Sequence, residues 1–214
     1  MTIKINTKYG ILLIGSLSLL TLVVLGLPNV SHDNTKLASN ADESIKSPDK
    51  PINIPMSGLL QKYTYTDLNN RSDTVIIGTV KEILPPKWNT VDGKRPNKSR
   101  SEIILENVIY TDIIISVDKY VKNPLSSNEL TVRTSGGIIG NDSMSTDYEP
   151  SLKTGEKVLL YLIEDTDPQI KNIGPKHFTI TGYKQGKFTL TDDGQAIGSD
   201  ETISQEELLS TIKE

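Results

Sequence analysis

The sequence predicts a mainly β domain, a small antiparallel barrel closed by a C-terminal helix, behind an apolar N-terminal segment. Three observations predict it. Short strand-like runs recur between residues 73 and 191, the best of them alternates with period two, and no βαβ alternation of strand and helix is present. A two-sheet sandwich is the second architecture these runs allow.

Taken in order, the chain begins with residues 1–8, which carry Lys4 and Lys8, and continues into "YGILLIGSLSLLTLVVLGL" (9–27) without one charged side chain. About 20 apolar residues cross the hydrocarbon layer as a helix. The preceding lysines keep the amino terminus inside, so everything after Pro28 faces outward. The run exceeds a secretory core of roughly 7–15 residues, so the reading is a retained single-pass anchor, with a cleaved signal and a secreted product as the alternative. Residues 28–56, rich in Asn, Ser, Asp, Lys and Pro, read as a flexible stalk. The folded domain is placed at 57–214.

Within it a short helix is expected over 66–71. "DTVIIGTVKEIL" (73–84) is a strand whose Gly78 marks a bulge or sharp bend. In "IYTDIIISVDKYV" (109–121), Ile109, Ile113, Ile115, Val117 and Val121 share one face, while Asp112, Ser116, Asp118 and Lys122 share the other. "ELTVRT" (129–134) follows, with Leu130 and Val132 inward. "EKVLLYLIE" (156–164) is apolar on both faces and therefore central. "HFTITGY" (177–183) and "KFTLT" (187–191) flank Lys184-Gln185-Gly186, read as a hairpin connection, and Asp192-Asp193-Gly194 as a further turn. Ser204 with Glu207 three residues on is a capping box; Ile203 staples to Leu208, and Leu208, Leu209 and Ile212 form the helix stripe. About six strands and one terminal helix fit a barrel of the oligonucleotide/oligosaccharide-binding (OB) type.

"SDTVIIGTV", "YTDIIISVDKYVKNP", "TVRTSGG", "GEKVLLYL" and "GYKQGKFTL" resemble a family of uncharacterised secreted or membrane-anchored archaeal and bacterial surface proteins over roughly residues 58–195. The resemblance implies an extracytoplasmic location and no known activity. The strand pattern is more distantly similar to netrin-like modules and the inhibitory domain of tissue metalloproteinase inhibitors. Those inhibitors present an N-terminal cysteine amine to the protease zinc, and this chain has no cysteine. Only the fold carries over.

Composition narrows function. The net charge is −4, and beyond the anchor 21 cations face 27 acids, which argues against a nucleic-acid partner. Without cysteine, and with His32 and His177 as its two histidines, the chain offers neither a disulfide framework nor a Cys- or His-ligated metal centre. No cofactor motif is present. Gly136-Gly137-x-x-Gly140 lacks the Gly-Lys-Ser/Thr of a phosphate loop and the spacing of a dinucleotide fingerprint, so it reads as a turn. Glu164, Asp165 and Asp167 lack the full calcium-loop pattern, and so do Asp192 and Asp193. His177 has no serine or acid placed beside it in sequence and reads as structural.

The loop "KWNTVDGKRPNKSR" (87–100) stands out. Lys87, Lys94, Arg95, Lys98 and Arg100 oppose Asp92 alone, a local +4 on an acidic protein, and Trp88 adds a flat stacking surface. These six residues are the candidate ligand contacts; the alternative is a solvated loop with Trp88 packed on the barrel. Asn29, Asn70, Asn97 and Asn141 begin Asn-x-Ser/Thr sequons, of which Asn70, Asn97 and Asn141 are glycosylation candidates on the domain. The functional expectation is a non-catalytic surface module that binds an envelope glycan, lipid headgroup or protein. The alternatives are an inhibitor or partner of an extracytoplasmic enzyme and, last, a hydrolase with an acidic site.

Overall fold

The computed structural model describes residues 50–213. In chain order these form β1 (Asn53–Met56), α1 (Tyr65–Arg71), β2 (Thr74–Ile83), β3 (Lys87–Trp88), α2 (Arg100–Glu106), β4 (Ile109–Lys122), β5 (Glu129–Ser135), β6 (Gly137–Ile139), β7 (Asp142–Thr146), β8 (Lys157–Glu164), β9 (Phe178–Ile180), β10 (Lys187–Leu190), β11 (Gln195–Ile197), β12 (Thr202–Ser204) and α3 (Gln205–Ser210).

Five strands close a barrel. β2 pairs with β4 and β4 with β5, all antiparallel; β5 pairs in parallel with β9 through Val132 and Phe178; β9 and β2 then pair antiparallel with β8. A sheet closed on itself leaves no edge unpaired. Ile76, Val80, Ile113, Ile115, Val132, Leu160 and Phe178 fill its interior. β8 is apolar on both faces for the expected reason. Val158, Leu160 and Leu162 point inward, while Leu159 and Tyr161 join Leu68, Phe188 and Leu208 in a second core beneath α1, α3 and β10 to β12. A third core of Ile52, Ile54, Trp88, Ile103, Ile109 and Met144 joins β1, β7 and α2 to the start of β4.

Gly78 sits at a register break between β2 and β4. A Cβ there would lie 2.5 Å from the Ser116 carbonyl oxygen, so only glycine lets the two backbones approach. The same break shifts β4. Tyr120 packs against the barrel interior, whereas Val121 turns to the second core, and the strict alternation predicted through Val121 ends near Val117. The predicted helix over 66–71 is α1, and Thr64 closes its N-terminus with a full capping box to Asp67. Ser204 caps α3 by accepting from the Glu207 N–H, with Ile203 packed beside Leu208.

Four expectations are corrected. Residues 53–56, assigned to the stalk, are β1, paired in parallel with β7 and anchored by fully buried Ile52. Hydrophobic content explains it: Ile52 and Ile54 alternate within a polar stretch too short to register in composition. Lys184-Gln185-Gly186 is not a hairpin. Tyr183–Gly186 form a 3-10 turn, and β9 and β10 pair one after the other along the same edge of β8. Asp112, expected on a solvent face, is buried beneath the segment joining β8 to β9. Finally, Arg100, read as the last residue of the loop 87–100, opens the helix α2, whose N-terminus carries a Ser99–Glu102 capping box. The anchor at 9–27, the stalk residues 28–49 and the Asn29 sequon lie outside the described residues. Among the described residues no helix is long and apolar enough to cross a membrane.

Candidate functional site

Each residue of the basic stretch 87–100 can now be placed. Trp88 is fully buried in the third core, so its ring offers no stacking face. Its hydrophobic area is worth more in that core than on the surface. Arg95 pairs with buried Asp142 at 3.2 Å and donates to the Lys50 carbonyl at 3.0 Å; Arg100 donates to the Pro51 carbonyl at 2.9 Å. Both cations thus hold β1 and its approach against the domain. Lys98 meets Glu106 at 2.6 Å on the surface. Lys87 and Lys94 are exposed and form no ion pair among the described residues. Counting α2, the segment 84–108 carries five cations against the three acids Asp92, Glu102 and Glu106, a net of +2 rather than +4. Asn70, Asn97 and Asn141 are all exposed, on α1, in the loop before α2 and at the β6–β7 turn.

The glycine cluster does turn a corner. Gly136, Gly137 and Gly140 all have positive φ (119°, 145° and 59°), and a short hairpin of β6 and β7 follows instead of a helix. The turn also shapes a cleft of about 380 Å³ at the mouth of the barrel. One wall is the end of β5 with Ser135 and Gly136; the other is the segment Met144–Leu152, with Thr111 and Ile113 of β4 at the floor. Thr111 Oγ1 donates to the Gly136 carbonyl at 2.7 Å and Thr146 Oγ1 to that of Ser135 at 3.4 Å, which fastens the two walls.

Glu149 is the one ionisable side chain among the residues lining this cleft. Its Oε1 accepts the Ser135 N–H at 3.1 Å. Burial pushes its carboxyl from 4.5 up to about 7, against the lowering effect of the Ser135 hydrogen bonds, and the Asp165 charge adds a smaller upward push. Beside it the rings of Tyr148 and Tyr183 meet edge-on with centroids 4.9 Å apart. Burial pushes the Tyr148 hydroxyl up to about 12, and the Glu149 charge contributes. Sequence reading passed over Glu149 because "NDSMSTDYEP" carries no periodicity. Its one local signal is an acid followed directly by proline, at the end of a polar run that also holds Asp142 and Asp147.

His177 is buried, and its partner is an acid twelve residues away in the chain. Nδ1 donates to the Pro175 carbonyl at 2.7 Å, and Nε2 lies 2.8 Å from Asp165 Oδ2. Asp165 Oδ1 in turn accepts the Asp167 N–H at 2.8 Å. Asp167 Oδ1 accepts the Gln169 N–H at 2.8 Å, so two of the five acids considered for calcium are engaged in folding the 165–177 segment, and no cluster of three or more metal-binding side chains occurs among the described residues. Glu156 pairs with Lys187 at 2.6 Å; although burial raises its pKa, hydrogen bonds from Lys187 and Thr189 bring it below the usual carboxylate range.

No known protein-family model matches the chain, and no curated protein matches it either.

Proposed function

We propose that this chain is a non-catalytic interaction module, displayed outside a membrane by the apolar segment 9–27, which binds an envelope glycan in the barrel-mouth cleft. The cleft carries the proposal. Thr111, Thr134, Ser135, Ser145 and Thr146 bring hydroxyl groups to a concave surface with Ile113 and Leu152 at its base. Such a mixture suits a sugar, which offers hydroxyls at its edge and C–H groups on its face.

The barrel supports the same reading. Numbered along the chain, its strands run 1-2-3-5-4 and close back onto 1, with the parallel pair between 3 and 5. This is the arrangement of OB-type barrels, which bind oligosaccharides or oligonucleotides through the loops joining strands 1 to 2 and 4 to 5. Here those loops are 84–108 and 165–177, which meet where Asn89 Nδ2 donates to the Gln169 carbonyl at 3.4 Å; the cleft lies apart from them, against the start of the second barrel strand and the end of the third. A phosphate-rich ligand fits the cleft poorly, since Glu149 would repel it and no lining residue carries positive charge. Lys87 and Lys94, exposed on the surface, supply a looser, salt-sensitive contact for acidic envelope components.

The test is retention of saccharide from a solubilised envelope fraction by the immobilised full chain in detergent. Binding is expected for the parent and lost in Ser145→Trp, which fills the cleft from an exposed position and leaves thermal unfolding unchanged. Failure of the parent to retain any saccharide overturns the proposal.

A further inference from the structure

We infer that the cleft selects a glycan carrying an unsubstituted primary amine, and that the ammonium group sits against the Glu149 carboxylate. The inference rests on the glycan reading above and goes beyond it by naming the charge the ligand must bear.

The surroundings of Glu149 are acidic on every side described. Asp147 precedes it on its own segment, Asp165 and Asp167 lie across from it after β8, and the phenols of Tyr148 and Tyr183 stand close by. Two basic side chains are near, and both are committed. Lys184 Nζ donates to the Asp147 carbonyl at 3.1 Å, and His177 is bound to Asp165 and to the Pro175 carbonyl. The Ser135 N–H satisfies one Glu149 oxygen and leaves its charge uncompensated. A desolvated carboxylate with no counter-charge is costly, and a ligand ammonium supplies the missing partner in a charge-assisted hydrogen bond.

The same site discriminates against an acylated amine. An N-acetyl group is neutral, so it gives the carboxylate a hydrogen bond and no charge compensation. Because the carboxyl is poised near neutrality by burial, seating an ammonium favours its ionised form and expels a fraction of a proton at neutral pH. Affinity therefore falls as pH drops below 7.

The experiment titrates the full chain in detergent with two probes, the tetramer of β-1,4-linked glucosamine and its N-acetylated counterpart, at pH 7 in two buffers of different ionisation enthalpy. The amine tetramer should bind at least about tenfold more tightly, with Glu149 releasing between zero and one proton per site against the uptake by the sugar amines, which titrate near neutral pH and do so in every variant alike. Glu149→Gln should erase that preference and the proton release while retaining the weak affinity for the acetylated tetramer. Equal affinity of the parent for both tetramers overturns the inference, as does a preference that survives in Glu149→Gln. If neither tetramer binds while envelope saccharide is still retained, the amine inference falls and the glycan reading stands.

Discussion

Arg133 and Asp112 lie side by side on the outer wall of the barrel and meet fork to fork, Nε to Oδ1 at 2.7 Å and Nη2 to Oδ2 at 2.9 Å. The third nitrogen of Arg133 donates to the carbonyls of Ile170 and Ile173 at 2.9 and 2.8 Å, and the guanidinium stacks 3.8 Å from the centre of the Tyr110 ring. A side chain rising from β5 therefore fastens the 165–177 segment down over β4 and β5, and Asp165 with His177 ties the base of that segment. Part of the outer wall of β4 and β5 is therefore covered by the protein's own chain.

Breaking this pair should be severe. Arg133→Met leaves Asp112 buried without its partner and is expected to cost about 3–5 kcal/mol. The double variant Arg133→Met/Asp112→Leu removes both charges and should recover a substantial part of that loss. Urea unfolding of these two variants and of Asp112→Leu alone measures the coupling. Additive losses would mean that the two residues do not act as a pair.

The 87–100 stretch divides into a structural and a solvent-facing part. Trp88→Ala empties a fully buried site and should lower stability by about 3–5 kcal/mol. Arg95→Glu places a second acid beside Asp142 and should also be strongly destabilising. Lys94→Glu should leave unfolding unchanged within about 0.5 kcal/mol and alter only the salt dependence of envelope binding. A Trp88→Ala variant as stable as the parent would remove the third core from the fold.

Gly78→Ala places a methyl group 2.5 Å from the Ser116 carbonyl oxygen and 2.7 Å from Ile115 Cγ2. Neither neighbour can retreat, since one is backbone and the other is core. The expected cost is about 1–3 kcal/mol, read as a lower urea midpoint. A neutral substitution would show that β2 and β4 need no close approach at the bend.

These residues also show what could be read from the chain. Gly78, Ser204, the two-faced β8 and the inward Leu130 and Val132 were legible because each depends on neighbours within a few positions, through strand period, a cap or a bend. Asp112, Arg133, Asp165 and His177 were not, because their partners lie 12 to 40 residues away and pairing across a barrel leaves no local mark. Trp88 fitted both an exposed stacking role and a packed one, and the choice fell to Ile52, Ile54 and Met144, which the fold brings from both sides of it. The cleft was half visible. Its glycine wall stood out as a turn, whereas Glu149 acquires its character from burial, which sequence does not report.

Burial of Glu149 gives the fold a pH dependence with a definite sign. The carboxyl titrates near 4.5 in the unfolded chain and at about 7 in the folded one, so between those values the folded state binds more protons. Stability therefore declines as pH rises from 4.5, levels off above about 7, and is unaffected by this group below 4.5. Glu149→Gln has no proton to lose. Its stability relative to the parent should rise steadily across that window and stay constant on either side, as measured by urea midpoints from pH 4.5 to 8.5. A difference that does not change with pH would mean that the Glu149 carboxyl is solvated in the folded protein. The amine ligand should act in the same direction as the substitution: at pH 7, where part of the carboxyl is ionised and part of the sugar amine is protonated, it should raise the parent's midpoint by more than that of Glu149→Gln.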